Sequence, residues 1–171
     1  MTRQLLILRH AQAVPHVPTE EGDRARPLTA TGLEQARSIG RKLAALAPAR
    51  PMKVLCSPAV RTRQTAQAAL EALEAAPAPV FEDGIYHTDP DGLYRLIHGT
   101  EDEVQTLLLV GHNPSIGALA MDLVGTAALQ HPSFAALQRG YPLAGLTMLG
   151  FEGGWLDVRP STVRAATLLV P

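Results

Sequence analysis

The chain has one cysteine, Cys56, in 171 residues. That excludes an internal disulfide framework and a cysteine-based zinc cluster, and it fits a reducing compartment, so the expected location is the cytoplasm. An excess of one charge sign is also missing. Fifteen Lys and Arg against sixteen Asp and Glu give a formal charge of -1, and no basic run is long enough to follow a nucleic-acid backbone, so no nucleic acid is expected as a partner. Long apolar runs are lacking as well. The first covers four residues before Arg9 and His10, too short for a secretory core even though Ala11-Gln12-Ala13 imitates a cleavage site. No later run approaches a bilayer span, so no membrane partner is expected. No internal repeat is present. What remains is a composition 46% hydrophobic, enough for one sizeable core, and a single domain over 1–171 is the expectation.

Apolar runs at Gln4–Leu8, Met52–Cys56 and Val104–Val110 read as buried strands. Between them lie helical patterns. Thr31-Gly32-Leu33-Glu34 has capping-box spacing and opens a stripe through Leu33, Ala36, Ile39, Leu43 and Leu46. Ser57-Pro58 and Asn113-Pro114 each look like a cap followed by proline at the first helical position, opening helices to about Ala75 and Val124. Asp89-Pro90 predicts a further helix to Gly99, and Val80-Phe81 a short strand. Near the C-terminus, Leu146–Phe151 and Trp155–Val158 flank Gly153-Gly154 and suggest a hairpin, with Trp155 in the core. The order of elements predicts an α/β fold: a three-layer α/β/α sandwich with a mostly parallel sheet, helices on both faces and an antiparallel edge.

In such sheets ligands bind outside the carboxyl ends of the strands. Three of the predicted strands end in chemically capable residues: Arg9-His10, Ser57-Pro58 running into Arg61, and His112-Asn113. Two lead into helix N-termini, whose amides favour an anion. Two arginines can clamp a phosphoryl group, and two histidines can supply a nucleophile and a proton donor. The charge developing on phosphorus can be met by Arg9, Arg61, a protonated His112 and backbone amides, so neither a metal nor a cofactor is required. Ser57 and Asn113, as caps, can also touch the phosphate.

Four ordered runs carry a resemblance spread over most of the chain: Leu-Ile-Leu-Arg-His-Ala-Gln-Ala (6–13), Arg-Pro-Leu-Thr-Ala-Thr-Gly (26–32), Ser-Pro-Ala-Val-Arg-Thr-Arg-Gln-Thr-Ala (57–66) and Val-Gly-His-Asn-Pro (110–114). Together they resemble the histidine phosphatase superfamily, and within it the SixA-type phosphohistidine phosphatases. The late Tyr-Pro-Leu-Ala-Gly-Leu followed by Trp155 is similar to that branch too. The resemblance implies a phosphoglycerate mutase-like fold, a phosphohistidine formed on His10 during turnover, and Arg9, Arg61 and His112 around the phosphate. Arg63 lies on a different helical face from Arg61 and is expected at the surface.

Many superfamily members carry a mid-chain Glu or Asp that protonates the leaving oxygen. Here Glu82 and Asp83 are the nearest candidates by order along the chain, with Asp23 in the first long loop a weaker alternative. A histidine nitrogen as leaving group is easily protonated near neutrality, so an indistinct acid favours phosphohistidine as substrate. The short chain, with little material to roof the pocket, favours a phosphorylated protein. The alternatives are a small phosphate ester as substrate, or a phosphate- or phosphohistidine-binding regulator with negligible turnover. His16, His87, His98 and His131 lack ligand spacing and are expected as surface or capping residues.

Overall fold

The computed structural model describes residues 2–15, 22–129, 134, 137 and 139–171, with the backbone alone at 126–129. His16 and His131 lie outside the described residues. Six strands form one sheet: β1 (Thr2–Arg9), β2 (Met52–Cys56), β3 (Val80–Phe81), β4 (Thr106–Gly111), β5 (Leu146–Glu152) and β6 (Val163–Leu169), in the spatial order β3-β2-β4-β1-β5-β6. The first four are mutually parallel, β5 is antiparallel to β1, and β6 is antiparallel to β5.

The central strands carry unbroken apolar stretches, Leu5–Leu8 in β1 and Leu107–Val110 in β4, because both faces are covered there. Leu5, Ile7, Leu107 and Leu109 face one core, with Leu93 and Ile97 of α3 (Pro90–His98) and Ile116 and Leu119 of α4 (Ser115–Leu129). Leu6, Leu8, Leu108 and Val110 face the other, with Ile39 and Leu43 of α1 (Ala30–Ala45) and Ala66 and Ala69 of α2 (Val60–Leu70). The three-layer α/β/α arrangement is therefore as expected. Each fully buried leucine of these strands contributes roughly 1.5–3 kcal/mol.

The structure revises several boundaries. The N-cap of α1 is Thr29, whose side chain accepts from Gly32 N at 3.0 Å, so Thr31 lies inside the first turn. A Cβ on Gly32 would stand 2.0 Å from the Gln12 carbonyl oxygen, so this turn packs directly on the chain leaving His10. α2 stops at Leu70 rather than Ala75. α4 runs to Leu129, with non-helical geometry at Gly125 (φ 74°) just after the expected end at Val124. Asp89 caps α3 as expected, accepting from Gly92 N at 2.8 Å.

The C-terminal hairpin exists with a different second strand. Trp155–Asp157 forms a 3-10 turn, and β6 begins at Val163. Gly153 takes φ 108°, Gly154 N donates to Asp157 Oδ2 at 3.0 Å, and the buried Trp155 indole donates to the Val104 carbonyl at 2.9 Å. Those bonds hold the tryptophan in the core, as expected, and off the ladder.

Candidate active site

Parallel pairing aligns the carboxyl ends of β1, β4 and β2 side by side. Arg9 is in register with Gly111, His10 N donates to Gly111 O at 3.1 Å, and Ser57 N donates to Val110 O at 3.0 Å. Sheet register therefore carries Arg9-His10, Ser57 and His112-Asn113 to one rim, and α2 adds Arg61 from its first turn. The rings of His10 and His112 stand 5.3 Å apart between centroids.

The bonding of each imidazole restricts its chemistry. His10 Nδ1 lies 2.8 Å from the Ala11 carbonyl, which can only accept, so Nδ1 carries the proton and the Nε2 lone pair is free. Ala11 is tied in turn to Thr65, whose Oγ1 accepts from its N–H at 3.0 Å. His112 Nε2 lies 2.7 Å from the buried Ser57 hydroxyl. With that hydroxyl donating, the neutral ring carries its proton on Nδ1, a buried atom with no partner among the described residues.

Arg9 donates through Nη1 to the Tyr141 carbonyl, and its buried Nε is likewise without a partner there. Burial lowers its pKa from the ordinary value, partly opposed by Tyr141. Asn113 Nδ2 reaches the same Tyr141 carbonyl at 3.4 Å. Tyr141 is fixed through its hydroxyl, which meets Ile7 O at 2.7 Å and Thr147 Oγ1 at 2.8 Å. Ser57 and Asn113 thus spend their side chains on the rim rather than on capping; the N-cap of α2 is Ala59, with no side-chain bond.

Desolvation is the largest cause of the low pKa of His10, about 4, aided by Arg61, Arg9 and Arg26 and opposed by the Ala11 bond. His112 falls to about 3, again through desolvation first, then Arg61 and His10. Both rings are neutral at pH 7 under the protein's own charges. The protonated His112 expected during turnover would need the added negative charge of a phosphoryl group beside the ring.

Asp23, Arg26 and Tyr86 complete the pocket. Arg61, 6% exposed, donates through Nη1 to Asp23 O at 2.6 Å and through Nη2 to Asp23 Oδ2 at 2.7 Å. Tyr86 OH donates to the same Oδ2 at 2.8 Å, and Arg26 Nη1 to Oδ1 at 2.6 Å. Burial pushes the Asp23 carboxyl up, but the bonds from Tyr86, Arg26 and Arg61 outweigh it and hold it well below the usual range. The Tyr86 ring lies edge-on to His112 at 5.4 Å.

Asp83, its side chain 84% exposed, pairs with Arg24, and among the described residues neither Glu82 nor Asp83 bonds a side chain of the pocket. Asp23, ranked below them by sequence, is the carboxylate joined to Arg61. Tyr86 had no sequence signal. Arg26 had a weak one, heading the Arg-Pro-Leu-Thr run at i+3 from Asp23. Arg63 is exposed, over the Phe81 ring at 4.8 Å, and His98 Nε2 meets Val158 O at 3.1 Å. A groove of about 430 Å³ opens beside His112, lined in part by Tyr86, His87, Pro90 and Pro114.

Among known proteins, residues 5–84 match the histidine phosphatase superfamily (branch 1). An uncharacterized protein of Mycobacterium tuberculosis is 33% identical over 165 residues, covering 96% of this chain and 99% of its own. A candidate phosphohistidine phosphatase SixA from Nakamurella multipartitia superposes with a TM-score of 0.83 at 28% identity, covering 100% of this chain and 97% of its own. A second, from Agrobacterium tumefaciens, gives 0.80 at 29%, covering 99% and 98%. The fold is phosphoglycerate mutase-like, as the motif resemblance implied. With these likenesses spanning the whole fold and the Arg-His rim at its centre, the chain belongs to the histidine phosphatase superfamily.

Proposed function

We propose that the protein is a phosphatase, one domain over residues 1–171 acting in the cytoplasm, that removes phosphate from phosphohistidine in a protein through an adduct on His10. The observation that carries this reading is the fixed tautomer of His10, whose Nδ1 is committed to Ala11 O while Nε2 keeps its lone pair in a pocket with three arginines nearby. In the first step a bond forms between His10 Nε2 and phosphorus as the bond from phosphorus to the substrate imidazole breaks, and that imidazole, already protonated on its other ring nitrogen, leaves as the neutral base. Water then attacks phosphorus, the bond to Nε2 breaks, and inorganic phosphate departs.

Arg9 Nε and His112 Nδ1 offer donors to the equatorial oxygens, and Arg61 offers a guanidinium with N–H groups to spare beyond its two bonds to Asp23. Ser57 acts through His112, and Asn113 through the Tyr141 carbonyl it shares with Arg9. These donors can meet the developing charge without a metal or cofactor. A protein substrate is supported by the groove beside His112 and the exposed His87 on its wall, which leave room for a residue presented from another surface.

Brief exposure to labelled phosphoramidate followed by quenching should leave label stable to alkali and lost in acid, and His10→Ala should abolish it. A panel comparing a phosphohistidine protein with small phosphate esters, with and without chelator, should rank the protein first and show no chelator effect. Label retained in His10→Ala would overturn the adduct, and turnover confined to small esters would overturn the substrate.

A further inference from the structure

Arg61 is held by a residue outside every catalytic motif. Both of its terminal nitrogens point at Asp23, one to the main-chain oxygen and one to the carboxylate, so the guanidinium is fixed at two points. The carboxylate is fixed as well, with Tyr86 sharing Oδ2 and Arg26 occupying Oδ1. Tyr86 closes the arrangement with its ring, edge-on to His112, 4.8 Å below the Arg24 guanidinium and 5.9 Å from that of Arg61. Three segments remote in sequence meet at this carboxylate: the first loop with Arg26, the start of α2 and the turn after β3.

We propose that Asp23, braced by Tyr86 and Arg26, is a positioning residue that orients Arg61 for the phosphoryl group and does not serve as the acid for the leaving group. This rests on the phosphatase reading above. A guanidinium carries five N–H donors, and the two spent on Asp23 leave three for an oxyanion. Free of that anchor, a long side chain would have to surrender its rotamer freedom on binding substrate. With three donors around it the carboxylate is ionised at neutral pH and has no proton to give.

One effect opposes the orientation: a carboxylate near a phosphate repels it. The Arg26 bond at 2.6 Å to the other carboxylate oxygen offsets that charge, so orientation governs the sign.

The test uses full-length Asp23→Asn and Tyr86→Phe with an aryl phosphate, an alkyl phosphate and a phosphoramidate as substrates, and inorganic phosphate as a binding probe followed by calorimetry. Asp23→Asn should weaken phosphate binding and lower kcat/KM by about tenfold, through the loss of a charge-assisted hydrogen bond, and by the same factor for aryl and alkyl leaving groups. Tyr86→Phe should act in the same direction by about threefold. A loss at least tenfold greater on the alkyl than on the aryl ester would make Asp23 a proton donor, and tighter phosphate binding would make repulsion dominant; either result overturns the proposal. Should Asp23→Asn fail to fold, Tyr86→Phe decides by the same two criteria. Should the wild type hydrolyse nothing, the phosphatase reading falls, and the phosphate titrations still decide the role of Asp23.

Discussion

The two halves of the pocket are built differently. Arg9, His10, Ser57 and His112 stand on the ends of adjacent strands, placed by main-chain bonds such as His10 N to Gly111 O and Ser57 N to Val110 O. Asp23, Arg26 and Tyr86 stand in or beside short 3-10 turns and are joined by side-chain contacts, with Asp23 half exposed and the exposed Arg24–Asp83 pair lying beyond them. A ladder fixes position cooperatively and away from water, whereas each exposed ion pair contributes at most about 1 kcal/mol. Substitutions on the strand side should therefore cost stability and activity together, and substitutions on the loop side should separate them.

The largest effect is expected where the chain leaving His10 packs on α1. Gly32→Ala would drive a methyl group against the Gln12 carbonyl oxygen, 2.0 Å from the ideal Cβ, and backbone rather than a flexible side chain would have to yield. A destabilisation of about 3 kcal/mol is expected, the upper end for forced overpacking, with activity lost alongside it. Denaturant unfolding checks this; a wild-type midpoint would show that the strand side is as yielding as the loops.

Acidification is next. Both pocket histidines have folded-state pKa values below the ordinary 6.5, about 4 for His10 and about 3 for His112. The unfolded chain therefore takes up protons first as pH falls. The stability these neutral rings contribute is fully present above about pH 6.5, declines as pH drops below it, and is lost by about pH 3. Melting temperature followed from pH 7.5 to 5.5 should fall, and the fall should be shallower in His10→Asn. For activity, protonation of His10 should remove the nucleophile only near pH 4 in the free enzyme, so kcat/KM should show no acid limb at 6.5.

The strand side was also the legible side. Leu5–Leu8 and Leu107–Val110 are apolar at every position because both faces are buried, a pattern visible without coordinates, and the residues at their ends were legible with them. Where a contact joins segments far apart, the sequence was mute. Chain order favoured Glu82 and Asp83 over Asp23, because it says nothing about which loop folds over the strand ends. Tyr86 belongs to no local pattern, and its place follows from a hydroxyl meeting a carboxylate 63 positions away. Ser57 resembled a cap because caps and polar rim residues draw on the same side chains, and only the partner, His112 rather than a helix amide, tells them apart. Trp155 resembled a strand residue until its indole found the Val104 carbonyl.

Ser57→Ala tests the strand side at its most economical point. The hydroxyl is buried and bonded to His112 Nε2, so its removal leaves that nitrogen without the partner that sets the tautomer. A loss of about tenfold in kcat/KM is expected, equivalent to about 1.4 kcal/mol for one hydrogen bond. The folded state should lose a similar amount.

The smallest effect is expected from Arg24→Ala. Arg24 pairs with Asp83 and lies over the Tyr86 ring, but its side chain is 47% exposed and that of Asp83 is 84% exposed, so water screens the pair. Tyr86 is held independently through its hydroxyl bond to Asp23, and that bond survives the substitution. The expected change is within twofold in kcat/KM and within about 0.5 kcal/mol in stability, shrinking further as salt is raised. A loss as large as that of Ser57→Ala would show that the loop side is held by its outer ion pair rather than by the Asp23 carboxylate, and would erase the contrast between the two halves of the pocket.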